Sequence, residues 1–284
     1  MIDLHSHTNH SDGTFSPEEL IAEAHRVSVR TLAITDHDTF SGYDEALPFA
    51  RQGGLELLCG IELSTKLDGQ SVHLLGYFLA EPNEAFANLR VWILEMQASR
   101  RDRNVRLVER LQSLGLEITL TEAQSRSRGM TGRPHFARIL IEKGYVSTIQ
   151  QAFDEYLGES APGYVDRYEP SFADSVKRIR EAGGIASMAH PVRFKGDFAA
   201  TLPRLCDAGM NALEAYHSDH STEDTQSFLT LAERYGLRVT GGSDFHGTVK
   251  PGIRLGIGRG ELKIPADLVD RLRQQKVEYP FAGD

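Results

Sequence analysis

Seven short apolar runs recur along the chain, separated by segments with helical periodicity. Most of these runs are nearly continuous in apolar residues, as strands buried on both faces are. Between them, the sequence SPEE at residues 16–19 predicts a capped helix start, and glycines at 53–54 and 183–184 predict helix ends just before the next strand. The predicted strands are 2–7, 31–36, 55–63, 71–79, 184–190, 212–217 and 238–244.

Repeated strand–helix units predict an α/β fold with a parallel sheet, and seven of them favour a closed or nearly closed barrel. One stretch, residues 83–157, interrupts the alternation of strands and helices because it contains no convincing strand. Apolar residues there recur at helical spacing from Phe86 to Leu114. We therefore predict a barrel domain made of residues 1–82 and 158–284, with an inserted helical subdomain at 83–157 that contributes to substrate binding.

Composition is that of an ordinary globular enzyme, with 40% hydrophobic and 25% charged residues among 284. No apolar run approaches the ~20 residues needed to span a bilayer, and the first residues lack the basic and apolar regions of a signal peptide. Cys59 and Cys206 are the only cysteines, which suggests a reduced compartment. We expect a cytoplasmic protein without membrane association or an obligate protein partner.

Charge is unevenly distributed along the chain. The net charge of −9 argues against a general nucleic-acid coat protein. Residues 83–143 nevertheless hold eleven Lys and Arg against seven Asp and Glu, a local charge of +4, so the remainder sums to −13. A basic segment on an acidic chain fits a local anion site, and a solvated helical face explains it equally well.

Residue types that bind metals stand at or near the ends of the predicted strands. Residues two apart in a strand point to the same side, so His5 and His7 can reach one ion, and Asp244 and His246 repeat this spacing. Active sites of strand–helix barrels form at the carboxyl ends of the strands. The pattern predicts a cluster of divalent metal ions, with these candidate residues: His5, His7, Asp12, His37, Glu62, His73, His190, Asp244 and His246.

Other histidines have simpler explanations. A lone histidine is more often packed or on the surface than bound to a metal, and we interpret His10, His25 and His220 in that way. His217 stays open, because it can bind substrate, pair with Glu214 or be structural.

These motifs resemble the PHP (polymerase and histidinol phosphatase) family of the amidohydrolase superfamily, from the start of the chain to about residue 260. Gly132-Arg133-Pro134-His135, followed by Lys143-Gly144-Tyr145, resembles a narrower subgroup of 3',5'-nucleoside bisphosphate phosphatases, which are related to enzymes that also trim short RNA from the 5' end. The family motifs here are His5-x-His7 with Ser11-Asp12-Gly13, Thr35-Asp36-His37, Gly60-x-Glu62, His73, Ala189-His190-Pro191 and Ser243-Asp244-x-His246.

The resemblance implies a distorted seven-stranded barrel and a centre of two or three divalent ions. A ligand set of nitrogen and oxygen without thiolate suits Mn, Fe or Zn, and our expectation is Mn²⁺. The implied ligands are His5, His7, Glu62 and Asp244 for one ion, Glu62, His73 and His190 for a second, and Asp12, His37 and His246 for a third.

The implied reaction is hydrolysis of the 3'-phosphate of a nucleoside 3',5'-bisphosphate, with short single-stranded RNA as a further substrate. Divalent ions would neutralise the phosphate dianion and lower the pKa of a water towards ~7. We expect His217 to act as the acid and Arg193 to contact the reacting phosphate. Arg133 with His135 would bind the second phosphate, since a guanidinium matches phosphate in a bidentate way.

Supporting roles and alternatives remain open. Asp36 or Asp38 would orient ligand histidines. A histidinol-phosphate phosphatase is the runner-up, although it would not need the arginine-bearing insertion. A regulatory metal-binding domain of a nucleic-acid polymerase is a third hypothesis, which the complete ligand set and the lack of a polymerase-like region disfavour.

Overall fold

The computed structural model describes residues 1–80 and 82–274, which form one seven-stranded mixed sheet. The strands follow one another in chain order across the sheet, and helices surround it, so the α/β barrel predicted from the apolar runs is confirmed. The strands are β1 (Ile2–Asp3), β2 (Thr31–Ile34), β3 (Glu56–Leu67), β4 (Gln70–Phe78), β5 (Ile185–Met188), β6 (Ala212–His217) and β7 (Arg238–Gly242).

Closure of the barrel involves the residues just after β1 and β7. The backbone N–H of Leu4 donates to the carbonyl of Gly241 at 3.1 Å, and that of His7 donates to the carbonyl of Phe245 at 2.9 Å. The first and last strands are therefore neighbours, and the barrel is nearly closed. This contact holds the backbone of His5 and His7 at the rim.

The expectation of a wholly parallel sheet is wrong for β4. This strand pairs antiparallel with both β3 and β5, and only the turn at Asp68 and Gly69 separates it from β3. Both turn residues have positive φ, at 50° and 79°, as two-residue hairpins require. Because β4 runs in reverse, its amino-terminal half lies beside the carboxyl-terminal half of β3, and His73 pairs with Ser64.

Helices cover the sheet and connect its parallel strands. The capping box predicted at Ser16 is present: its hydroxyl accepts from the N–H of Glu19, whose carboxylate accepts from the N–H of Ser16 at 2.7 Å. The helices are α1 (Pro17–Arg26), α2 (Ser41–Gly53), α3 (Glu84–Ser113), α4 (Leu120–Gln124), α5 (Arg133–Glu142), α6 (Ile149–Ala152), α7 (Phe172–Glu181), α8 (Phe198–Asp207), α9 (Thr222–Arg234) and α10 (Leu268–Gln274).

Between β4 and β5 the described residues form helices α3 to α7 and a π-helical turn, Phe153–Leu157, without a strand. The first half of α3 packs Leu89 and Met96 into the core that also contains strand residues of the barrel. Its second half contributes to a separate core together with α5. Helix α3 therefore contributes residues to both cores. The domain boundaries at residues 83 and 157 remain a prediction.

Within the described part of the chain, no helix combines the length and the apolar character needed to cross a bilayer.

We predict that Gly242→Ala weakens the closure of the barrel. A Cβ at this position would lie 2.2 Å from the backbone nitrogen of His5, so the strand that carries the histidine pair must move. We expect a loss of about 1–3 kcal/mol in the free energy of unfolding and a lower metal content. Gly252→Ala is the control, because the nearest atom to its Cβ is 3.8 Å away. Equal stability of both variants in denaturant titrations would contradict the prediction.

Candidate metal centre

Glu62, near the middle of β3, lies at the centre of the histidine cluster and is almost completely buried. Its Oε2 atom lies 3.3 Å from Nε2 of His5, 3.1 Å from Nε2 of His7 and 3.2 Å from Nδ1 of His37. Three imidazoles from two different strand ends therefore converge on one carboxylate oxygen.

The other oxygen of Glu62 faces two further histidines. Oε1 lies 2.9 Å from Nδ1 of His73 and 3.0 Å from Nε2 of His190. His73 reaches this position because β4 runs antiparallel, which places its amino-terminal half at the rim where the parallel strands end. One carboxylate thus separates two groups of ring nitrogens, as a ligand shared by two ions does.

Two aspartates complete the cluster. Oδ1 of Asp244 lies 3.5 Å from Nε2 of His7, and Oδ1 of Asp12 lies 3.2 Å from Nε2 of His246. His7, Asp12, His37 and His246 offer ligand atoms that all lie within 4.8 Å of one another. All nine ligand residues named from the sequence are therefore in one cluster, whereas His10, His25 and His220 lie outside the groups that could hold an ion.

The cluster fits divalent ions for a reason independent of the motifs. Nε2 of His5 and of His7, and Nδ1 of His37 and of His73, are buried and have no hydrogen-bond partner. Burying polar atoms without partners costs free energy, and here those atoms face carboxylates across a small space. A bound cation would accept the lone pairs of these ring nitrogens and balance the charge of the carboxylates. The donor atoms are nitrogen and oxygen, which suits Mn, Fe or Zn.

Hydrogen bonds at the far side of two rings direct the free lone pairs towards the centre. Nδ1 of His5 donates to the Oε1 of Glu214 at 2.8 Å, and Nδ1 of His246 donates to the carbonyl of Asp244 at 2.8 Å. Donation from Nδ1 leaves Nε2 as the ligand atom. The sequence pointed to Glu214 only as a partner of His217, so this orienting role was missed.

Asp36 and Asp38 differ from each other in their contacts. Asp36 accepts hydrogen bonds from Thr8 and from the hydroxyl of Ser11, and Ser11 is 3.4 Å from Nδ1 of His7. Asp36 is therefore linked to His7 indirectly, through the hydroxyl group of Ser11. Asp38 instead accepts from Ser64 and pairs with Arg100 and Arg167, so of the two candidates only Asp36 is linked to a ligand histidine by these contacts.

The buried carboxylates and imidazoles shift each other's pKa values. Burial lowers the pKa of His37 to about 3. Burial also opposes a charge on His7, but the neighbouring carboxylates of Asp244 and Glu62 raise its pKa to about 9. Burial alone would raise the pKa of Glu62, yet the neighbouring histidines, led by His37, hold it well below its usual range. Metal binding at this centre would therefore displace a proton from His7, because a ligand imidazole must be neutral.

His217 has the opposite hydrogen-bond polarity to the ligand histidines. Its Nδ1 accepts from the backbone N–H of Asp219 at 3.0 Å, so in the neutral ring the proton is on Nε2, which lies 3.5 Å from Asp244. No hydrogen bond joins His217 to Glu214 among the described residues. The ring lines a smaller neighbouring cavity of about 340 Å³ rather than the main one.

A cavity of about 760 Å³ opens over the cluster. Its lining includes candidate ligands such as Glu62 and His190 and also a group of arginines. Arg193 lines it as well and bonds both Asp219 and Asp244. Lys250, which the sequence analysis missed, lies 2.7 Å from Asp244. The arginines are Arg100, Arg103, Arg133 and Arg167.

Arg133 and His135, both expected to bind substrate, occupy different environments. Arg133 lines the cavity, donates to the carbonyl of Leu157 and lies over the ring of Phe153. His135 is completely buried, does not line the cavity, and accepts from the N–H of Gly132 at 3.0 Å. Burial lowers its pKa to about 4. A neutral, enclosed ring cannot contact a phosphate directly, so that expectation is corrected.

The chain is similar in sequence to characterised phosphoesterases. A family model described as PHP domain matches residues 3–168. A 3',5'-nucleoside bisphosphate phosphatase from Chromobacterium violaceum is 34% identical, covering 86% of this chain and 87% of that protein. The 5'-3' exoribonuclease Rnm from Escherichia coli is 34% identical, covering 86% and 84%. A phosphoribosyl 1,2-cyclic phosphate 1,2-diphosphodiesterase from Eggerthella lenta is 32% identical, covering 86% and 94%.

Solved structures resemble the whole chain. A candidate metal-dependent phosphoesterase from Bifidobacterium adolescentis has a TM-score of 0.84 at 32% identity and covers 98% of this chain and 96% of its own. An amidohydrolase from Chromobacterium violaceum, solved with sulfate and without metal, has a TM-score of 0.84 at 31% identity and covers 95% and 96%. The same barrel therefore recurs in proteins that share about a third of the sequence.

We predict that the active protein binds more than one divalent ion per chain, since the ligand atoms form several groups around Glu62. His7→Ala and Asp244→Ala should each nearly abolish phosphate release and lower the metal content. His25→Ala is the control, because His25 is exposed on α1. Elemental analysis that finds at most one ion in a fully active preparation would contradict the cluster.

We also predict that Glu214→Gln weakens metal binding by roughly 10–100-fold, the usual effect of removing a partner that orients a ligand histidine. The amide keeps the size of the side chain but loses the negative charge that accepts from His5. Metal titration of the apo protein measures the effect, and Glu223→Gln, on the exposed start of α9, is the control. Unchanged affinity would mean that Glu214 does not orient His5.

Proposed function

This chain belongs to the PHP domain family of metal-dependent phosphoesterases, and we propose that it removes the 3'-phosphate from nucleoside 3',5'-bisphosphates to leave nucleoside 5'-monophosphates. Hydrolysis that depends on metal follows from the family. The choice of substrate is the proposal, and it is supported by the similarity to a relative that bears that name and by the cavity.

The observation that carries the proposal is that one cavity is lined both by metal-ligand residues and by four arginines. Arginine is the side chain best matched to phosphate oxygens. A substrate with two phosphates on one ribose can place the reacting phosphate at the metal-ligand cluster and the other among the arginines. A substrate with one phosphate does not use both groups of residues, which disfavours histidinol phosphate.

The bound ions would neutralise the phosphate dianion and supply a water of lowered pKa. Mn²⁺ remains our expectation for their identity. Arg193, which lines the cavity and bonds Asp244, is proposed to contact the reacting phosphate. His217 lines only the smaller cavity. Its Nε2 atom is buried without a hydrogen-bond partner and forms, with His5 and Asp244, a group that could hold an ion, so we propose that it serves the metal centre instead of protonating the leaving oxygen.

Short single-stranded RNA is a second candidate substrate. The relatives named as 5'-3' exoribonucleases support it, and so does a further cavity of about 540 Å³ that shares Arg133, Phe153 and Arg193 with the main one and adds Lys195. The three cations and the aromatic ring suit the backbone and bases of a strand, although Asp154 and Glu159 line the same cavity. We propose that nucleotides beyond the first would lie there, and that the enzyme acts in the cytoplasm.

The proposal predicts a clear order among substrates. Charge-assisted hydrogen bonds to phosphate contribute ~1.5–3 kcal/mol each, and remote binding energy can position the reacting group. Removing the 5'-phosphate should therefore lower kcat/KM by at least about tenfold. Phosphate release from adenosine 3',5'-bisphosphate, adenosine 3'-monophosphate and histidinol phosphate measures this, with inorganic phosphate as the expected competitive inhibitor. Faster turnover of histidinol phosphate would establish the runner-up instead.

A further inference from the structure

Asp12 lies in the loop between β1 and α1, and its carboxylate faces two ligand histidines. Oδ1 lies 3.2 Å from Nε2 of His246, and Oδ2 lies 3.7 Å from Nε2 of His37. Within the described chain, the only hydrogen bond from a residue other than histidine to this carboxylate is a long one of 3.5 Å from the hydroxyl of Ser11. Loops move more than the strands they connect, so the position of this carboxylate depends on what holds the loop.

Helix α5 of the insertion provides such a contact. Nη2 of Arg138 donates to the backbone carbonyl of Asp12 at 2.8 Å. Burial lowers the pKa of Arg138, and the charge of Asp12 is the largest influence in the opposite direction. Arg138 does not line the main cavity, so its guanidinium serves the loop and is not placed to contact a substrate there.

Backbone atoms make a second contact between the insertion and the same loop. The N–H of Arg128 donates to the carbonyl of Asn9 at 2.8 Å. The N–H of Met130 donates to the carbonyl of His10 at 2.7 Å. A Cβ on Gly129 would lie 2.6 Å from the carbonyl oxygen of His10, so the two segments approach more closely than a side chain at this position allows. The insertion therefore holds the loop on both sides of Ser11.

We propose that Arg138 is a positioning residue of the metal centre, which holds the Asp12 loop so that an ion is retained by Asp12, His37 and His246. The insertion then contributes to metal binding as well as to the cavity. The ligands around Glu62 lie on strands or directly beside them, as His73 on β4 does, so they do not depend on this contact. The inference goes beyond the proposed function, because it holds for any phosphate ester.

Titration of metal-free protein with Mn²⁺ tests the inference without a substrate. Arg138→Met should weaken the binding of one ion by roughly 10–100-fold, the usual effect of losing a contact that orients a ligand, and leave the other ions unchanged. His246→Ala identifies this ion, because it should remove the same binding step. Arg110→Met is the matched control, since Nε of Arg110 donates to the carbonyl of Pro162 at 2.7 Å, away from every ligand.

Gly129→Ala is a second variant that disturbs the same contact by a different route. The added Cβ should push the loop away from the insertion and weaken the same ion, while Arg138 itself is intact. Unchanged affinity for every ion in both variants would overturn the inference. So would equal weakening of all ions, which would indicate a general loss of structure, or a wild type that loses no ion when His246 is replaced.

Dependence of activity on Mn²⁺ separates positioning from damage to the fold. In Arg138→Met, the Mn²⁺ concentration for half-maximal phosphate release from adenosine 3',5'-bisphosphate should rise by roughly 10–100-fold, and the rate at saturating Mn²⁺ should return to that of the wild type. A lowered rate that Mn²⁺ does not restore would overturn the inference. If the wild type does not hydrolyse this nucleotide, the proposed function fails, and the Mn²⁺ titration still decides the role of Arg138.

Discussion

The carboxylate of Glu62, buried among five imidazoles, is the constraint on which the structure depends. Five ring nitrogens lie 2.9–3.3 Å from its two oxygens, and several of them have no hydrogen-bond partner. Such a group is unfavourable in a protein interior unless cations occupy it. The barrel therefore holds together side chains that, without metal, repel one another or lack hydrogen-bond partners. Bound ions would stabilise this set of side chains and give it its function.

The barrel brings these side chains together by two different routes. Parallel strands deliver His5, His37 and His190 at their carboxyl ends, as strand–helix barrels do. The hairpin between β3 and β4 reverses one strand, so that His73 reaches the same rim from the other direction. The insertion adds α3, which packs on the barrel and also lines the cavity with arginines. The candidate metal ligands come mainly from the barrel, whereas several of the arginines that line the same cavity come from the insertion.

Local signals in the sequence predicted the strands and the cluster, because apolar runs and histidines at strand ends need no knowledge of distant neighbours. The direction of β4 was missed, although Asp68 and Gly69 carry the signal of a two-residue hairpin turn. The orienting role of Glu214 and the contact of Lys250 with Asp244 depend on which strands become neighbours, so no local pattern reveals them. His135 was misjudged because burial at a helix start is a tertiary property.

The central claim is that Glu62 is shared between metal ions. Anomalous diffraction from crystals of manganese-loaded protein tests it directly. The account predicts at least two anomalous peaks within coordination distance of the Glu62 carboxylate, one beside His5 and His7 and another beside His73 and His190. A single peak, or peaks that Glu62 does not touch, in crystals of a preparation with full phosphatase activity would contradict the account.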